Sequence, residues 1–311
     1  VALQTILGAG GVIGTPLAQI LLRYAEQVRL VSRRPPVLDG YETVAADLTK
    51  AEEVLRAVEG SRVCYLVAGL PYDARVWEAL WPVVMRNTLD ACRTHGARLV
   101  FFDNVYMYDR DRLDGMTEST PIRPTSRKGA VRARIAQMLM DAVDAGHVEA
   151  LIARSADFYG PGRQQQSIIG RSVLERLTCA RAAQWLMSAD RKHAFTFTPD
   201  AALGTAMLGN ADDAYGSIWH LPTASAPLTG REWVEAAARH LDVPARLQVA
   251  GPTLLALMGM VARPVRELKE MAYQYDRDYV FLSGKFEQRF GFTPTTYAEG
   301  LAAILATDYA A

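Results

Sequence analysis

Cysteine is scarce. Three of 311 residues are Cys, at Cys64, Cys92 and Cys179, and none form a Cys-x-x-Cys pair. A disulfide framework and a cysteine-based zinc site are therefore not expected, and a reducing, cytoplasmic setting is. A surplus of either charge is also missing, since 34 Lys and Arg balance 34 Asp and Glu. A general polyanion binder carries a basic excess, so nucleic acid is not an expected partner. Long apolar runs are absent too. The longest, residues 253–262, is too short to span a bilayer, and no membrane partner is expected. No charged-then-apolar leader opens the chain, whose first residues already read as a strand. The histidines (His95, His147, His193, His220 and His240) lie far apart without metal-ligand spacing, so no metal is expected. No internal repeat is visible.

What is present is alternation. Apolar runs at 2–7, 28–32, 42–45, 62–67, 98–102 and 149–154 read as strands. Segments with helical apolar spacing lie between most of them, at 14–24, 49–58, 75–94 and 126–143. Pro82 is expected to kink or break the third of these helices. Strands that alternate with helices imply right-handed crossovers and a parallel sheet covered on both faces. After Tyr159 the pattern loosens. Gly160-Pro161-Gly162 is a turn signal, helices are expected at 168–177, 201–208, 231–240, 264–275 and 297–306, and short strands at 194–198 and 217–220. Cys64 falls in an apolar strand and Cys92 in a helical pattern, as small core residues do.

The most informative local feature is Gly8-Ala9-Gly10-Gly11-Val12-Ile13-Gly14, placed between the first strand and the first helix. Gly8 allows a tight turn, glycine at 10 or 11 lets backbone approach a pyrophosphate, and Gly14 lets helix and strand pack closely. The helix N-terminus, with Val12 and Ile13, then offers N–H groups to phosphate. In that context the motif predicts a dinucleotide-binding, Rossmann-type fold. The second strand ends Ser32-Arg33-Arg34, without the acidic residue that would accept from a ribose 2′-OH. Arg33 and Arg34 suit a 2′-phosphate, so NADP(H) is expected ahead of NAD(H), which stays open. The fold class is accordingly α/β: a Rossmann-type doubly wound parallel sheet with a smaller, mainly C-terminal substrate lobe. Residues 1–160 are expected to bind dinucleotide. Residues 161–311 form the substrate lobe, with a segment at about 194–221 returning to the sheet.

The chain resembles the extended short-chain dehydrogenases/reductases of the NAD-dependent epimerase/dehydratase family. Gly8, Gly11 and Gly14 match that family's glycine turn, and Asp47-Leu48 matches the pair that meets the adenine. Val67-Ala68-Gly69 falls where the family's chain passes the cofactor. Tyr159-Gly160-Pro161-Gly162 matches its turn after the sixth strand, and the segment from Ser283 to Leu301 resembles its closing part. The resemblance implies a small-molecule substrate and a homodimer through the helices at 75–94 and 126–143.

The departure is in the active site. The family places a Ser or Thr after the fifth strand and Tyr-x-x-x-Lys on the following helix. Aligning Tyr108 with the family's loop tyrosine puts Asn104 at the Ser/Thr position. Pro124-Thr125-Ser126-Arg127-Lys128-Gly129-Ala130-Val131-Arg132 then puts Lys128 at the Tyr position and Arg132 at the Lys position. Beside Arg132 and an oxidised nicotinamide, a neutral amine at Lys128 is favoured and could transfer protons. Arg132, four residues on, shares the helix face and could bond the ribose, and Asn104 could donate to a carbonyl. Reductases related to isoflavone reductase carry a similar Lys-x-x-x-Arg helix with a catalytic Lys. The competing reading makes Lys128 and Arg132 a solvated face in a protein that has lost catalysis. Tyr106, or less readily Tyr108, could supply the proton instead, and Asp103 and Asp157 are site-lining candidates at strand ends. Two functions stay open: an NADP(H)-dependent oxidoreductase or epimerase-like enzyme with a remodelled acid/base site, and a non-catalytic NADP(H)-binding redox sensor.

Overall fold

The computed structural model describes residues 2–162, 167–253, 255 and 263–309. The apolar run at 253–262 lies largely outside the described residues. Among the described residues no helix is long and apolar enough to cross a membrane. The chain divides into two compact units. The first comprises residues 1–105, 127–155 and 201–221, and the second 106–126, 156–200 and 222–311.

The first unit is built on a parallel sheet. Its strands are β1 (Leu3–Leu7), β2 (Gln27–Ser32), β3 (Glu42–Ala45), β4 (Ser61–Leu66), β5 (Arg98–Asp103), β6 (Ala150–Arg154) and a late strand, Ile218–His220. The sheet runs Ile218–His220, β6, β5, β4, β1, β2, β3, and every pairing is parallel. Between β1 and β4 the strand order reverses, which makes their carboxyl ends the switch point where such sheets open a crevice. Burial explains the near-continuous apolar strands: β1 and β6 are buried at every residue.

Four helices connect β1 through β6: α1 (Gly14–Leu21), α2 (Ala51–Val58), α3 (Ala74–His95) and α4 (Arg127–Asp144). The Asp73 carboxylate caps α3 by accepting from the Arg75 and Val76 N–H groups at 2.9 and 3.3 Å. Gly96, at φ 65°, ends it in the left-handed conformation. Of the kink or break expected at Pro82, the break does not occur, and α3 runs on to His95. The helix buries Trp77, Trp81, Val84, Met85, Ala91 and Cys92 along one side, and packs against both α2 and α4. That burial outweighs the roughly 3 kcal/mol a mid-helix proline costs.

The second unit holds two small parallel pairs. In one, β7 (Asp157–Tyr159) pairs with a strand at Phe195–Phe197. In the other, Ala183–Leu186 pairs with Leu247–Ala250. Of the two late strands expected from sequence, only Ile218–His220 joins the large sheet; Phe195–Phe197 pairs with β7 instead. The two residues Ser155 and Ala156 separate β6 from β7, so the chain leaves the large sheet before the second pairing begins. The core of this unit is aromatic: Tyr159, Trp185, Phe195, Trp233 and Tyr297 pack together. The expected helix at 168–177 is a π-helical turn, Ile169–Leu174, followed by a short α-helix, Glu175–Thr178.

Candidate functional site

The glycine turn follows β1 at the switch point. Gly8 sits at φ 106°, and a Cβ there would lie 2.4 Å from Cα of Ala68, which follows β4. A Cβ on Gly14 would lie 2.9 Å from the Gly8 carbonyl oxygen. These two glycines are therefore required by the chain's own packing. Gly11 is different. It does not need a positive φ, and a Cβ there would meet only the Gly8 oxygen at an ordinary 3.5 Å. The protein does not need its missing side chain, so glycine at 11 keeps the outer face of the turn open. No side chain caps the N-terminus of α1, whose N-cap is Ile13, and no acidic residue lies in its first turn. The Thr15 N–H is bonded to the Gly11 carbonyl at 3.0 Å, and the positive end of the helix dipole has no carboxylate in its first turn.

Around this turn lie the other residues singled out for the cofactor. Arg33 and Arg34 are exposed just past β2. Asp47 is half-buried, and its Oδ1 accepts from the Thr49 N–H at 3.0 Å and the Thr49 hydroxyl at 2.8 Å. Those bonds first, and the Lys50 and Arg33 charges after them, hold its carboxyl below the usual range. The Leu48 carbonyl accepts from the Asn87 amide at 3.0 Å. Val67 and Ala68 are half-buried and Gly69 exposed, immediately past β4.

Helix α4 settles one of the open questions. Its buried residues are Lys128, Gly129, Val131, Arg132, Ile135, Ala136 and Leu139, so Lys128 and Arg132 continue the stripe that faces inward. Lys128 is 0% and Arg132 4% exposed. The solvated-face reading is thereby excluded: the apolar residues at 131, 135 and 139 fix which side of the helix turns in, and 128 and 132 lie on that side.

The Lys128 Nζ lies 4.6 Å from the centre of the Tyr72 ring, on the loop after β4. Tyr72 in turn meets Trp77 edge-on. The Arg132 guanidinium lies over the rings of Trp81 at 4.6 Å and Phe101 at 4.9 Å. Both cations thus rest on ring faces, each a favourable contact of about 0.5–2 kcal/mol. Arg132 Nε donates to Asp103 Oδ1 at 2.7 Å, Nη2 approaches the same oxygen at 2.5 Å, and Nη2 also donates to the Phe102 carbonyl at 3.3 Å. Arg154, at the end of β6, donates from Nε to Asp103 Oδ2 at 3.4 Å. Asp103 is 1% exposed, and its Oδ1 also accepts from the Asn104 N–H at 2.8 Å. The carboxyl end of β5 therefore carries a buried carboxylate between two guanidinium groups. Sequence reasoning named Asp103 and Arg132 separately; their pairing, and the part of Arg154, emerge only from the sheet register that sets Asp103 opposite Arg154.

Tyr106 and Tyr108 belong to the second unit. Tyr108 is buried and bridges to Ile122, as an aromatic packing residue does. Tyr106 is half-buried, and its carbonyl accepts from the Tyr273 hydroxyl at 3.5 Å. Sequence spacing missed a cluster within this unit. His193 Nε2 lies 3.0 Å from Asp157 Oδ2, and the Tyr275 hydroxyl donates to the same oxygen at 2.9 Å. The His193 ring is stacked between Tyr275 and Tyr279, at 4.2 and 4.3 Å between centres. Burial, and then the Asp157 charge, push both phenols up, so Tyr275 stays protonated as a donor. Thirty-six residues separate Asp157 from His193, and only the pairing of Asp157 with Phe195 brings them together. Among the described residues no three His, Cys, Asp or Glu side chains gather as for a metal.

Comparison with known proteins agrees with this architecture. A dTDP-glucose 4,6-dehydratase of Mycobacterium tuberculosis is 28% identical over 199 residues, covering 57% of this chain and 59% of that protein, so the match spans about three-fifths of the relative's length. A dTDP-6-deoxy-L-talose 4-dehydrogenase (NAD(P)(+)) of Kitasatospora kifunensis is 27% identical, over 78% of this chain and 80% of that one. In fold the chain is similar to a dTDP-glucose 4,6-dehydratase from Streptomyces venezuelae solved with NAD bound (TM-score 0.81, 19% identity, 98% and 96% of the two chains). It is also similar to the UDP-glucose 4-epimerase of Thermus thermophilus in complex with NAD (TM-score 0.80, 18% identity, 100% of both chains). The family model for the NAD dependent epimerase/dehydratase family matches residues 5–214, two-thirds of the sequence, including the whole of the glycine turn, β2–β6 and α4, and the chain belongs to that family.

Proposed function

We propose that this protein is an NADP(H)-dependent oxidoreductase or epimerase-like enzyme acting on a carbonyl or alcohol of a sugar-like small molecule, with Lys128 in place of the family's tyrosine. The observation that carries the reading is the buried Lys128, one turn before Arg132 in the unit that bears the open glycine turn. The cradle fits a dinucleotide. Gly8, Gly10, Gly11, Val12, Ile13 and Gly14 would take the pyrophosphate, Arg33 and Arg34 a 2′-phosphate, Asp47 and Leu48 the adenosine end, and Val67, Ala68 and Gly69 the passing backbone. Hydride transfer is the chemistry the dinucleotide supplies when bound. Lys128 holds or yields the proton at the substrate oxygen, Asn104 donates to that oxygen, and Tyr106 is the second candidate for the proton. The relatives' action on dTDP- and UDP-sugars supports a sugar-like substrate.

One observation favours the rival reading, a sensor that binds NADP(H) without turnover. Nε and Nη2 of Arg132 are engaged by Asp103 and the Phe102 carbonyl, which leaves the guanidinium less able to serve a ribose as the family lysine does. Titration with NADPH and NADH, followed by hydride exchange from labelled NADPH across a panel of carbonyl compounds, tests both points. Tighter NADPH binding is expected, reduced roughly tenfold or more when Arg33 and Arg34 are both changed to Ser, since two charge-assisted contacts are lost. Equal or tighter NADH binding overturns the cofactor preference. Tight NADPH binding with no exchange to any carbonyl favours the sensor.

A further inference from the structure

We propose that Tyr72 is the positioning residue for Lys128: the face of its ring holds the Lys128 amine in the place that proton transfer requires and closes it from water. This rests on the reading of Lys128 as the proton-transfer group, and it names what fixes that group.

The two buried cations of α4 lie against rings of different kinds. Arg132 meets Trp81, Phe101 and Trp77, which are 2%, 0% and 6% exposed. Its guanidinium is also tied to Asp103, so Arg132 is sealed within the packing. Lys128 is 0% exposed, yet the ring against its Nζ belongs to Tyr72, which is 41% exposed. A buried amine against a ring that reaches the surface lies one side chain from solvent. The helix itself does not aim that amine. The stem of Lys128 leaves α4 on the side of Val131, Ile135 and Leu139, which fill space without directing a charge. A lysine is a point charge on a flexible stem, so its amine keeps one place only where something beyond the stem holds it.

Tyr72 is itself held. It is the middle residue of a three-residue turn, closed by the Asp73 N–H donating to the Pro71 carbonyl at 2.8 Å. The same carbonyl accepts from Trp77 Nε1 at 2.9 Å, and the Asp73 carboxylate caps α3. The residue on each side of Tyr72 is therefore fastened to the start of α3. Trp77 also meets the Tyr72 ring edge-on, with 5.7 Å between centres and 83° between planes. Backbone and ring are thus braced by one helix, while the ring lies 4.6 Å from the amine of the next. A ring face attracts an ammonium through its quadrupole, and more strongly where water is excluded. Reacting groups keep a productive geometry when their neighbours are fixed in turn.

The test uses the full chain and two variants, Tyr72→Phe, which keeps the ring, and Tyr72→Leu, which fills space without one. The amine is probed with trinitrobenzenesulfonate at a single pH, and the modified lysines are mapped by mass spectrometry. Lys50, whose side chain is 63% exposed, sets the scale in each protein. Lys128 should be labelled roughly twofold to thirtyfold faster in Tyr72→Leu than in the wild type, the range of one cation–π contact, and as slowly as the wild type in Tyr72→Phe. With NADPH and whichever carbonyl compound the wild-type chain reduces, kcat should fall over the same range in Tyr72→Leu with KM nearly unchanged, and Tyr72→Phe should recover most of it. Equal labelling of Lys128 in all three proteins overturns the proposal, and so does a rise in KM alone, which would make Tyr72 a substrate contact. A loss in Tyr72→Phe as great as in Tyr72→Leu also overturns it, because the hydroxyl and not the ring face would then be responsible. If no carbonyl compound is reduced at all, the proposed activity fails, and labelling decides separately whether Tyr72 holds the amine. Should Tyr72→Leu not fold, Tyr72→Gln is the ring-free variant for the same measurements.

Discussion

Turnover should fall by about 10²–10⁴-fold when Lys128 is replaced by Met, with NADP(H) affinity unchanged, because that is what a positioned proton-transfer group contributes. Met is the informative substitution. Lys128 is fully buried, and its carbon stem fills part of the inward stripe of α4, so truncation to Ala would also open a cavity. Met keeps an unbranched stem of similar length, as adaptable core residues do, and removes only the amine. Cofactor binding should survive, since the glycine turn lies between β1 and α1 and its shape is set by Gly8 and Gly14. The measurement is kcat against pH for both proteins, with NADPH affinity determined alongside. If the Met variant turns over at the wild-type rate with an unaltered pH profile, Lys128 has no part in the chemistry, and Tyr106 becomes the group to change.

Taking an ammonium out of water costs several kcal/mol before any partner is counted. Placing the Lys128 Nζ over the Tyr72 ring offsets part of that cost. A chain that needed only a helix at this position could use Leu or Met at lower cost. The sequence instead puts two cations one turn apart on the inward face of α4.

Much of this was legible in the residues. The strand–helix alternation gave the large sheet, and the order of β1, glycine turn, α1 and β2 gave the switch point, because each depends on local periodicity and backbone freedom. The inward direction of Lys128 and Arg132 was legible too. The positions 128, 132, 135 and 139 recur at helical spacing and include Ile135 and Leu139, yet two charges kept a solvated face open as the competing reading. Charge type misleads where a buried partner exists, and the partner of Arg132 is Asp103 on another strand. The Asp157–His193–Tyr275 cluster was out of reach for the same reason. Its members come from β7, the approach to Phe195–Phe197 and the short 3-10 turn Ala272–Tyr275, and no spacing along the chain connects them. Pro82 shows the opposite case, in which packing on both sides of α3 carries the helix past the early break that the local rule allows.

Asp103→Ala carries the largest expected loss of stability. Asp103 is 1% exposed and lies between Arg132, itself 4% exposed, and Arg154, 1% exposed. Removing the carboxylate takes a shared anion from two buried guanidinium groups, and breaking a buried pair in this way costs about 3–5 kcal/mol. For a unit of this size that corresponds to a fall in Tm on the order of 10 °C. The pair need not be stabilising in itself. A well-packed apolar replacement of a buried ion pair is often neutral, so Asp103→Leu combined with Arg132→Met should recover the part of the loss that comes from the Arg132 pair, while Arg154 still lacks this carboxylate. Denaturant unfolding of the four proteins gives the coupling directly, and a single-variant loss below about 1 kcal/mol would show that the carboxylate is not balancing the two cations. Stability and function should then separate. The double variant is expected to fold with the glycine turn intact and still bind NADP(H). It should turn over poorly if Arg132 sets the position of Lys128 one helical turn away, and normally if Asp103 holds Arg132 for packing alone.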